Sequence, residues 1–229
     1  MTFPHDLTGV RYSICRRRDL PEMRRLLADT FARNDPPAIA VGLTPAEFEA
    51  FVRVIARSAV TQRLSIVARD IATGELAGAL LAEDSASPAR DGFDRLSAKF
   101  EPIFDLFDQL EAQVSDDVPP MPGDSLHLFL IGVAPRFMGR GIARHLVTAC
   151  LANGAELGYR MAVAEATNPT SQHILATLGF VTRAQCSYAE YRRDTHAVFA
   201  SIAESGGPMA MSRSIGLAAG PLAVSGRPT

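Results

Sequence analysis

The chain has 229 residues, of which 47% are hydrophobic, and a formal net charge of −2. This size and composition predict one well-cored domain, and the slight negative charge gives no reason to expect nucleic acid as a partner. No uninterrupted apolar run is long enough to span a membrane, and the N-terminal segment lacks the layout of a signal peptide. The scattered Cys15, Cys150 and Cys186 show no metal-ligand spacing, so we expect free thiols, no metal and a cytoplasmic location.

Strand and helix patterns alternate in the first part of the chain. Asp19 and Pro21 are typical of a helix start, and Thr44 with Glu47 has the spacing of a capping box. Two adjacent prolines favour a loop between these helices. In chain order the predicted segments are a strand at 9–16, a helix at 19–32, a loop at 34–43, a helix at 44–60 and a hairpin of strands at 64–70 and 75–83.

An insertion follows the hairpin, over residues 84–124. Its apolar residues recur at three- and four-residue steps, which predicts that much of it is helical, and Pro102 is expected to kink or divide that helix. The periodic positions are Phe93, Leu96, Phe100, Ile103, Phe104, Phe107, Leu110 and Val114.

The last part of the chain alternates strands with helices. The predicted segments are a strand at 126–133, a helix at 139–158, a strand at 159–166, a helix at 168–179, a strand at 180–193 and a last strand at either 197–202 or 208–215. Residues 217–229 show no periodicity and are expected to form a flexible tail. The sequence therefore predicts a single α/β domain over residues 1–216, with the insertion at 84–124 between its third and fourth strands.

Positive charge is concentrated where the helix at 139–158 begins. Arg136, Arg140 and Arg144 flank two glycines at a helix end whose dipole is already positive. Free N–H groups at such an end bind phosphate readily, so the pattern favours an anion that the chain does not itself supply. The alternative is an ordinary tight turn with solvent-exposed arginines. A nucleoside-triphosphate loop is excluded because G-x-x-x-x-G-K-[ST] is absent, and Arg144 stands where a dinucleotide fingerprint needs a small residue.

Residues 126–180 resemble the acetyl-CoA-binding core of the GCN5-related N-acetyltransferases. The resemblance rests on an apolar strand with Val133 and Pro135, on Gly139-Arg140-Gly141 opening a helix, and on Asn168 followed by Gly179-Phe180. Met138 departs from the family pattern, which has Gln or Arg at that position. The resemblance implies an α/β fold with a mixed, mostly antiparallel central sheet that is splayed between two strands and flanked by helices.

The resemblance also implies how acetyl-CoA binds as the cosubstrate. The backbones of Ile131 and Val133 would pair with the pantetheine arm, and Asn168 and Ser171 would contact the cofactor from the opposite side. Gly132, inside the strand, suits a bulge that splays it from its neighbour. The diphosphate would lie against the amides of Met138, Gly139, Arg140, Gly141, Ile142 and Ala143.

Acetyl transfer to an amine requires a base that removes a proton from the ammonium group. His127 occupies a strand position that often carries the base in this family, and its ordinary pKa near neutrality suits the task. The alternative is a hydrogen-bonded histidine at a strand end. Dopamine-acetylating relatives place a glutamate base in the loop after the first helix, where this chain has Pro36. Asp35 beside it either substitutes or caps the turn.

Many family members carry a tyrosine general acid four residues before the glycine that corresponds to Gly179, and this chain has Leu175 there. Tyr188, Tyr191 or water are the alternatives. In the insertion, Phe100, Phe104 and Phe107 either line an acceptor pocket, with Asp105 or Asp108 attracting a cationic amine, or simply bury their helix against the domain.

A more particular similarity, to arylalkylamine N-acetyltransferases of the dopamine-acetylating kind, rests on the segments "DTFARNDPP", "TSQHILATLGF" and "QCSYAEYRRD" and on the phenylalanine-bearing insertion. We expect an acetyl-CoA-dependent N-acetyltransferase in which a primary amine of a small molecule attacks directly in a ternary complex. The alternatives are a non-catalytic acyl-CoA-binding module, or an acetyltransferase for protein lysine, a protein N-terminus or an aminoglycoside. The expected partner is a small-molecule amine acceptor, without nucleic acid or membrane, and a homodimer stays open.

Overall fold

The computed structural model describes residues 3–88, 91–114 and 121–215, and in this part of the chain eight strands form one sheet in the order β1-β2-β3-β4-β5-β6-β8-β7. Neighbouring strands are antiparallel except β5 and β6, which are parallel. The expected mixed, mostly antiparallel sheet is confirmed. The strands are β1 (His5–Leu7), β2 (Val10–Ile14), β3 (Ile66–Asp70), β4 (Leu76–Asp84), β5 (Ser125–Val133), β6 (Met161–Ala166), β7 (Val181–Gln185) and β8 (Met209–Ser214).

Helices cover both faces of this sheet. On β4, Leu81 packs in the cluster that contains α1 and α3, whereas Leu80 packs with α5 on the opposite face. Burial on both faces explains why β4 is almost continuously apolar. No helix in the described ranges is both long and apolar enough to cross a bilayer. The α-helices are α1 (Leu20–Asn34), α2 (Pro36–Ala40), α3 (Pro45–Thr61), α4 (Glu101–Glu111), α5 (Ile142–Glu156) and α6 (Pro169–Thr177).

The sheet is splayed between β5 and β6, as expected. The two strands pair only over Ser125–His127, and both then continue without pairing to each other. The register between β4 and β5 slips here, because Leu81 pairs with Leu130 but Ala82 pairs with Leu128, so Phe129 is the extra residue. The strands separate where β5 bulges.

The prediction that Gly132 forms this bulge was wrong. Gly132 pairs in register with Ala79. A Cβ added to Gly132 would lie 2.9 Å from Leu27 Cδ2 and 3.0 Å from Leu26 Cδ2, both on α1. Glycine is required here because α1 approaches the backbone of β5 closely.

Two elements in the first part of the chain were not predicted. The predicted loop at 34–43 contains α2, whose first two residues are prolines and whose N-cap Asp35 accepts a hydrogen bond from the Ala38 amide at 3.2 Å. Prolines fit this position because the first N–H groups of a helix have no internal partner. The short edge strand β1 precedes the predicted first strand and adds antiparallel to it.

The later elements needed three refinements. Pro102 opens α4 instead of kinking it, and short 3-10 helices at Phe93–Arg95 and Ala98–Phe100 precede α4. The strand predicted over 180–193 ends at Gln185, which leaves Tyr188 and Tyr191 outside the sheet. The last strand is the later of the two alternatives. The predicted tail at 217–229 lies outside the described residues.

The capping box of α3 gives a stability prediction. Glu47 N–H donates to Thr44 Oγ1 at 3.2 Å, and Thr44 N–H donates to Glu47 Oε2 at 2.9 Å. The hydrogen bonds that the Glu47 carboxylate accepts from the Thr44 amide, from Lys99 and from the Thr44 hydroxyl hold the pKa of Glu47 at about 2. We expect Thr44→Ala to lower the free energy of unfolding by about 1 kcal/mol in urea denaturation. Thr170→Ala, which removes an exposed hydroxyl, should change it by less than about 0.5 kcal/mol; equal effects of the two changes would contradict the assigned cap.

Candidate active site

A cavity of about 380 Å³ lies where β5 and β6 separate. One side of its wall is aromatic, and the rings also pack on each other: Phe93 stacks on Phe104 with ring centres 5.3 Å apart, and Phe51 contacts Phe129 at 5.8 Å. The insertion's phenylalanines therefore bury α4 and also line the cavity. The lining phenylalanines are Phe31, Phe48, Phe51, Phe93, Phe100, Phe104, Phe107 and Phe129.

The polar side of the cavity is centred on His127 of β5. His127 Nε2 lies 2.6 Å from Glu165 Oε2 on β6, and Nδ1 lies 3.6 Å from Oε1 of the fully buried Glu83 on β4. Burial disfavours the charged imidazolium, but the two carboxylates outweigh burial and raise the pKa of His127 to about 10. The expected near-neutral pKa is therefore not found, and His127 is protonated at neutral pH.

Sequence reasoning missed both carboxylates that surround His127. Glu83 is directly opposite His127 in the register of β4 and β5, and Glu165 lies on the end of β6 that pairs with β8 but not with β5. The available signal was a glutamate at the end of each of two otherwise apolar strands, where a charge needs a partner.

Asp35 lies on the same cavity, between α1 and α2. Besides capping α2, it accepts a hydrogen bond from the Thr167 hydroxyl at 2.6 Å. Burial raises the pKa of its carboxyl to about 6, although the hydrogen bonds from Thr167 and the Ala38 amide act in the opposite direction. The two sequence alternatives for Asp35 are therefore compatible: it caps a helix and faces the cavity.

The tyrosines occupy other places. Tyr188 is fully buried and its hydroxyl donates to the carbonyl of Thr167 at 2.8 Å, so it lies behind the cavity wall, and burial raises its pKa. The Tyr191 hydroxyl donates to Asp105 at 2.5 Å. Leu175 is on the wall, and no tyrosine is among the described residues that line the cavity.

The Gly-Arg loop joins β5 to α5. Gly139 and Gly141 have φ of 76° and 74°, a left-handed conformation that favours glycine. An added Cβ would meet no atom within 4 Å at Gly139, and only His145, at 3.6 Å, at Gly141. The space above the loop is therefore open, and its backbone is accessible to a ligand.

Two of the three arginines of this loop have partners within the chain, which corrects the expectation that only an external anion neutralises them. Arg136 forms an ion pair with Glu75, and Arg140 Nη1 lies 3.5 Å from Asp70 Oδ2. Both carboxylates belong to the hairpin of β3 and β4, a contact that the sequence pattern could not reveal. Arg144 remains exposed on the first turn of α5.

The separated strands offer free backbone groups beside this loop. Ala134 N–H donates to the carbonyl of Ala77, which is at the start of β4, at 2.9 Å. Because backbone groups point to alternate sides along a strand, those of Ile131 and Val133 point away from β4, toward the gap. Across the gap, Asn168 and Ser171 cap α6, with the Ser171 amide donating to Asn168 Oδ1 at 2.9 Å, and both line the cavity.

This arrangement matches known proteins. The C-terminal condensation domain of Ebony in complex with beta-alanyl-dopamine superposes with a TM-score of 0.81 at 17% identity, covering 91% of this chain and 100% of that chain. Arylalkylamine N-acetyltransferase 2 from Aedes aegypti gives 0.75 at 20% identity, covering 91% and 100%. Polyamine N-acetyltransferase from Drosophila melanogaster gives 0.72 at 17% identity, covering 90% and 99%. At these identities the neighbours establish a shared fold.

The family assignment comes from the sequence. The model of the acetyltransferase (GNAT) family matches residues 60–180, which is more than half of the chain. The match includes the separated strands, the Gly-Arg loop and the start of α6. The chain therefore belongs to the acetyltransferase (GNAT) family and is an N-acetyltransferase.

Proposed function

We propose that this enzyme transfers acetyl from acetyl-CoA to the primary amine of a small arylalkylamine by direct attack in a ternary complex. The observation that carries the proposal is a single cavity with a phenylalanine wall on one side and Asp35, His127 and Glu165 on the other. An arylalkylamine has the same two ends, an aromatic ring and a cationic nitrogen. The structural neighbours include an arylalkylamine and a polyamine acetyltransferase, which supports an amine as the acceptor.

Acetyl-CoA fits the gap and the loop. Ile131 and Val133 would hold the pantetheine arm through backbone hydrogen bonds, as an added strand would. The diphosphate would lie against the amides from Met138 to Ala143, at the positive end of α5. Asn168 and Ser171 would contact the cofactor from α6 across the gap. This assignment uses backbone groups for most contacts, so it tolerates Met138 in place of the usual Gln or Arg.

Asp35 is the general base in this proposal. A base works best when its pKa lies near the operating pH, and the Asp35 carboxyl, with a pKa of about 6, is ionised but still basic at neutral pH. His127 is protonated and cannot accept the proton directly. We assign His127 a positioning role: its ring lies between Glu165 and Glu83, and Glu165 lines the cavity in which the ammonium would bind.

The remaining steps need little from other side chains. A backbone N–H at the Phe129 bulge would donate to the thioester oxygen as negative charge develops on it. Coenzyme A leaves as a thiolate, which is a weak enough base to need only modest help from a general acid. Tyr188 is then a positioning residue, because its hydroxyl fixes the carbonyl of Thr167 while the hydroxyl of Thr167 binds Asp35.

A second acceptor class, aliphatic polyamines, is favoured by two acidic residues of α4. Asp108 and Glu111 line the cavity beyond the phenylalanines and would face a second cationic group. Steady-state turnover with matched amines separates the two classes. A phenylethylamine should give a higher kcat/KM than agmatine or a diamine; the reverse order would favour the polyamines. Tight coenzyme A binding without turnover of any amine would overturn catalysis and leave a binding module.

The pH dependence tests Asp35. Because Asp35 must be ionised to accept a proton, kcat should rise as the pH rises through about 6 and then level off. Asp35→Asn keeps a good helix cap but removes the base, so we expect kcat to fall at least about 100-fold and the rise near pH 6 to vanish. Asp108→Asn, on the same cavity, should keep that rise. Persistence of the rise in Asp35→Asn would assign the base elsewhere.

Removal of the imidazolium tests His127. His127→Ala removes the ring that lies 2.6 Å from Glu165 and 3.6 Å from the buried Glu83, so we expect lower turnover and a loss of about 3 kcal/mol in the free energy of unfolding, with acetyl-CoA affinity nearly unchanged. Adding Glu83→Gln replaces a buried carboxyl by a neutral amide and should restore most of the stability but not the turnover. If His127→Ala turns over normally, His127 has no part in the reaction.

The loop assignment is tested at its glycines. Gly141→Leu adds a side chain at the N-cap of α5, where the backbone has a left-handed conformation. We expect this variant to stay folded but to show no coenzyme A binding in calorimetry. Gly158→Leu is the matched control, because Gly158 has a φ of 95° with no atom near its Cβ and lies at the other end of α5. Loss of binding in both variants, or in neither, would contradict the assigned diphosphate site.

A further inference from the structure

A second cleft, of about 760 Å³, lies at the β2 side of the sheet. It is bounded by β2, by the 3-10 helix Arg17–Asp19 that precedes α1, by the end of α3 and by β3. None of its lining residues belongs to the Gly-Arg loop, to β5 or to the phenylalanine cavity. It is therefore separate from the proposed active site.

Arginine dominates the lining of this cleft. Two of its arginines have carboxylate partners: Arg11 with Asp6 at 2.8 Å, and Arg69 with Asp19 at 2.8 Å and Glu22 at 2.7 Å. The other four form no ion pair with any residue in the described ranges. Six arginines against three carboxylates leave an excess of positive charge, although the chain as a whole carries −2. The six are Arg11, Arg16, Arg17, Arg18, Arg63 and Arg69.

Arg63 provides an independent observation. It follows the end of α3 with a φ of 59°, in the left-handed conformation that glycine or asparagine usually adopts after a helix. An arginine there is strained, and strained residues, held by the structure around them, cluster at functional sites. A favourable charge at the helix end does not require this residue, since any position in the last turn would supply it. The strained position brings a guanidinium to the cleft.

We propose that this cleft binds the phosphate groups of a nucleoside polyphosphate. Arginines from four separate segments line it, and the planar donor pairs of guanidinium groups match phosphate oxygens. Its concave shape and its volume suit a compact ligand better than an extended polymer backbone. Phe3, Pro4, Ile14 and Val60 give it an apolar wall against which a base can pack.

The test uses the full chain and two probes, inorganic tripolyphosphate and ATP, in isothermal titration calorimetry. We expect saturable binding of each at one per chain, weakened as salt is raised. The double variant Arg17→Gln/Arg63→Gln should weaken binding at least tenfold. Arg57→Gln, an exposed arginine of α3 outside the cleft, is the matched control and should change it less than twofold. Equal loss in both variants, or binding without saturation, would overturn the proposal.

Two further experiments test whether this cleft is distinct from the coenzyme A site and whether its arginines bind a ligand instead of only stabilising the fold. Gly141→Leu should retain tripolyphosphate binding. If this variant does not bind tripolyphosphate, or if coenzyme A fully displaces tripolyphosphate from the unaltered protein, the phosphates bind at the Gly-Arg loop instead. Arg63→Gly should raise the melting temperature and weaken ATP binding together, because it relieves the strain and removes the charge. Unchanged ATP affinity in Arg63→Gly would also count against the proposal.

Discussion

The separation of β5 from β6 after three paired residues is the constraint on which the rest of the structure depends. Buried backbone groups must be hydrogen-bonded, and in a continuous sheet those of Ile131 and Val133 would bond to the next strand. Here the next strand has moved away, so these groups face the gap, where water or a ligand can bind them. The bulge at Phe129 begins this separation, and the close approach of α1 to Gly132 holds β5 against its other neighbour.

The same separation explains the electrostatics of the cavity. His127 is the last residue of β5 that pairs with β6. Its ring therefore lies where the two strands begin to separate, between Glu83 on β4 and Glu165 on β6. Two glutamates and a histidine therefore form one polar group at the edge of a mostly apolar pocket. The phenylalanines supply the apolar part of the wall, so the pocket combines the two surfaces on which the proposed function rests.

Local patterns predicted most of the fold, because they depend on neighbours in the sequence. Each correctly predicted feature is formed by residues that are close together in the sequence. Examples are the capping box of Thr44 and Glu47, the hairpin, and the glycines at the N-terminus of α5. Asp35 and its two prolines were interpreted as a turn because a five-residue helix has too little periodicity to detect. The bulge was assigned to Gly132 on residue type alone, whereas its position depends on the register with β4.

Two of the candidate catalytic residues, His127 and Asp35, line one cavity, whereas Tyr188 does not, and the neighbouring glutamates were missed. Their pKa values depend on the whole fold: burial raises that of Asp35, and Glu165 and Glu83, far away in the sequence, raise that of His127 against the effect of burial. The pairing of Arg136 and Arg140 with the β3–β4 hairpin is equally nonlocal. Charge interactions across strands depend on which residues pair between the strands, and local patterns in a single sequence do not reveal that pairing.

The most direct measurement is a crystal structure of the enzyme with coenzyme A. The account predicts pantetheine amides within hydrogen-bonding distance of the backbone of Ile131 and Val133, with the diphosphate on the amides of residues 138–143. Coenzyme A bound elsewhere on the protein, with only solvent between β5 and β6, would contradict it.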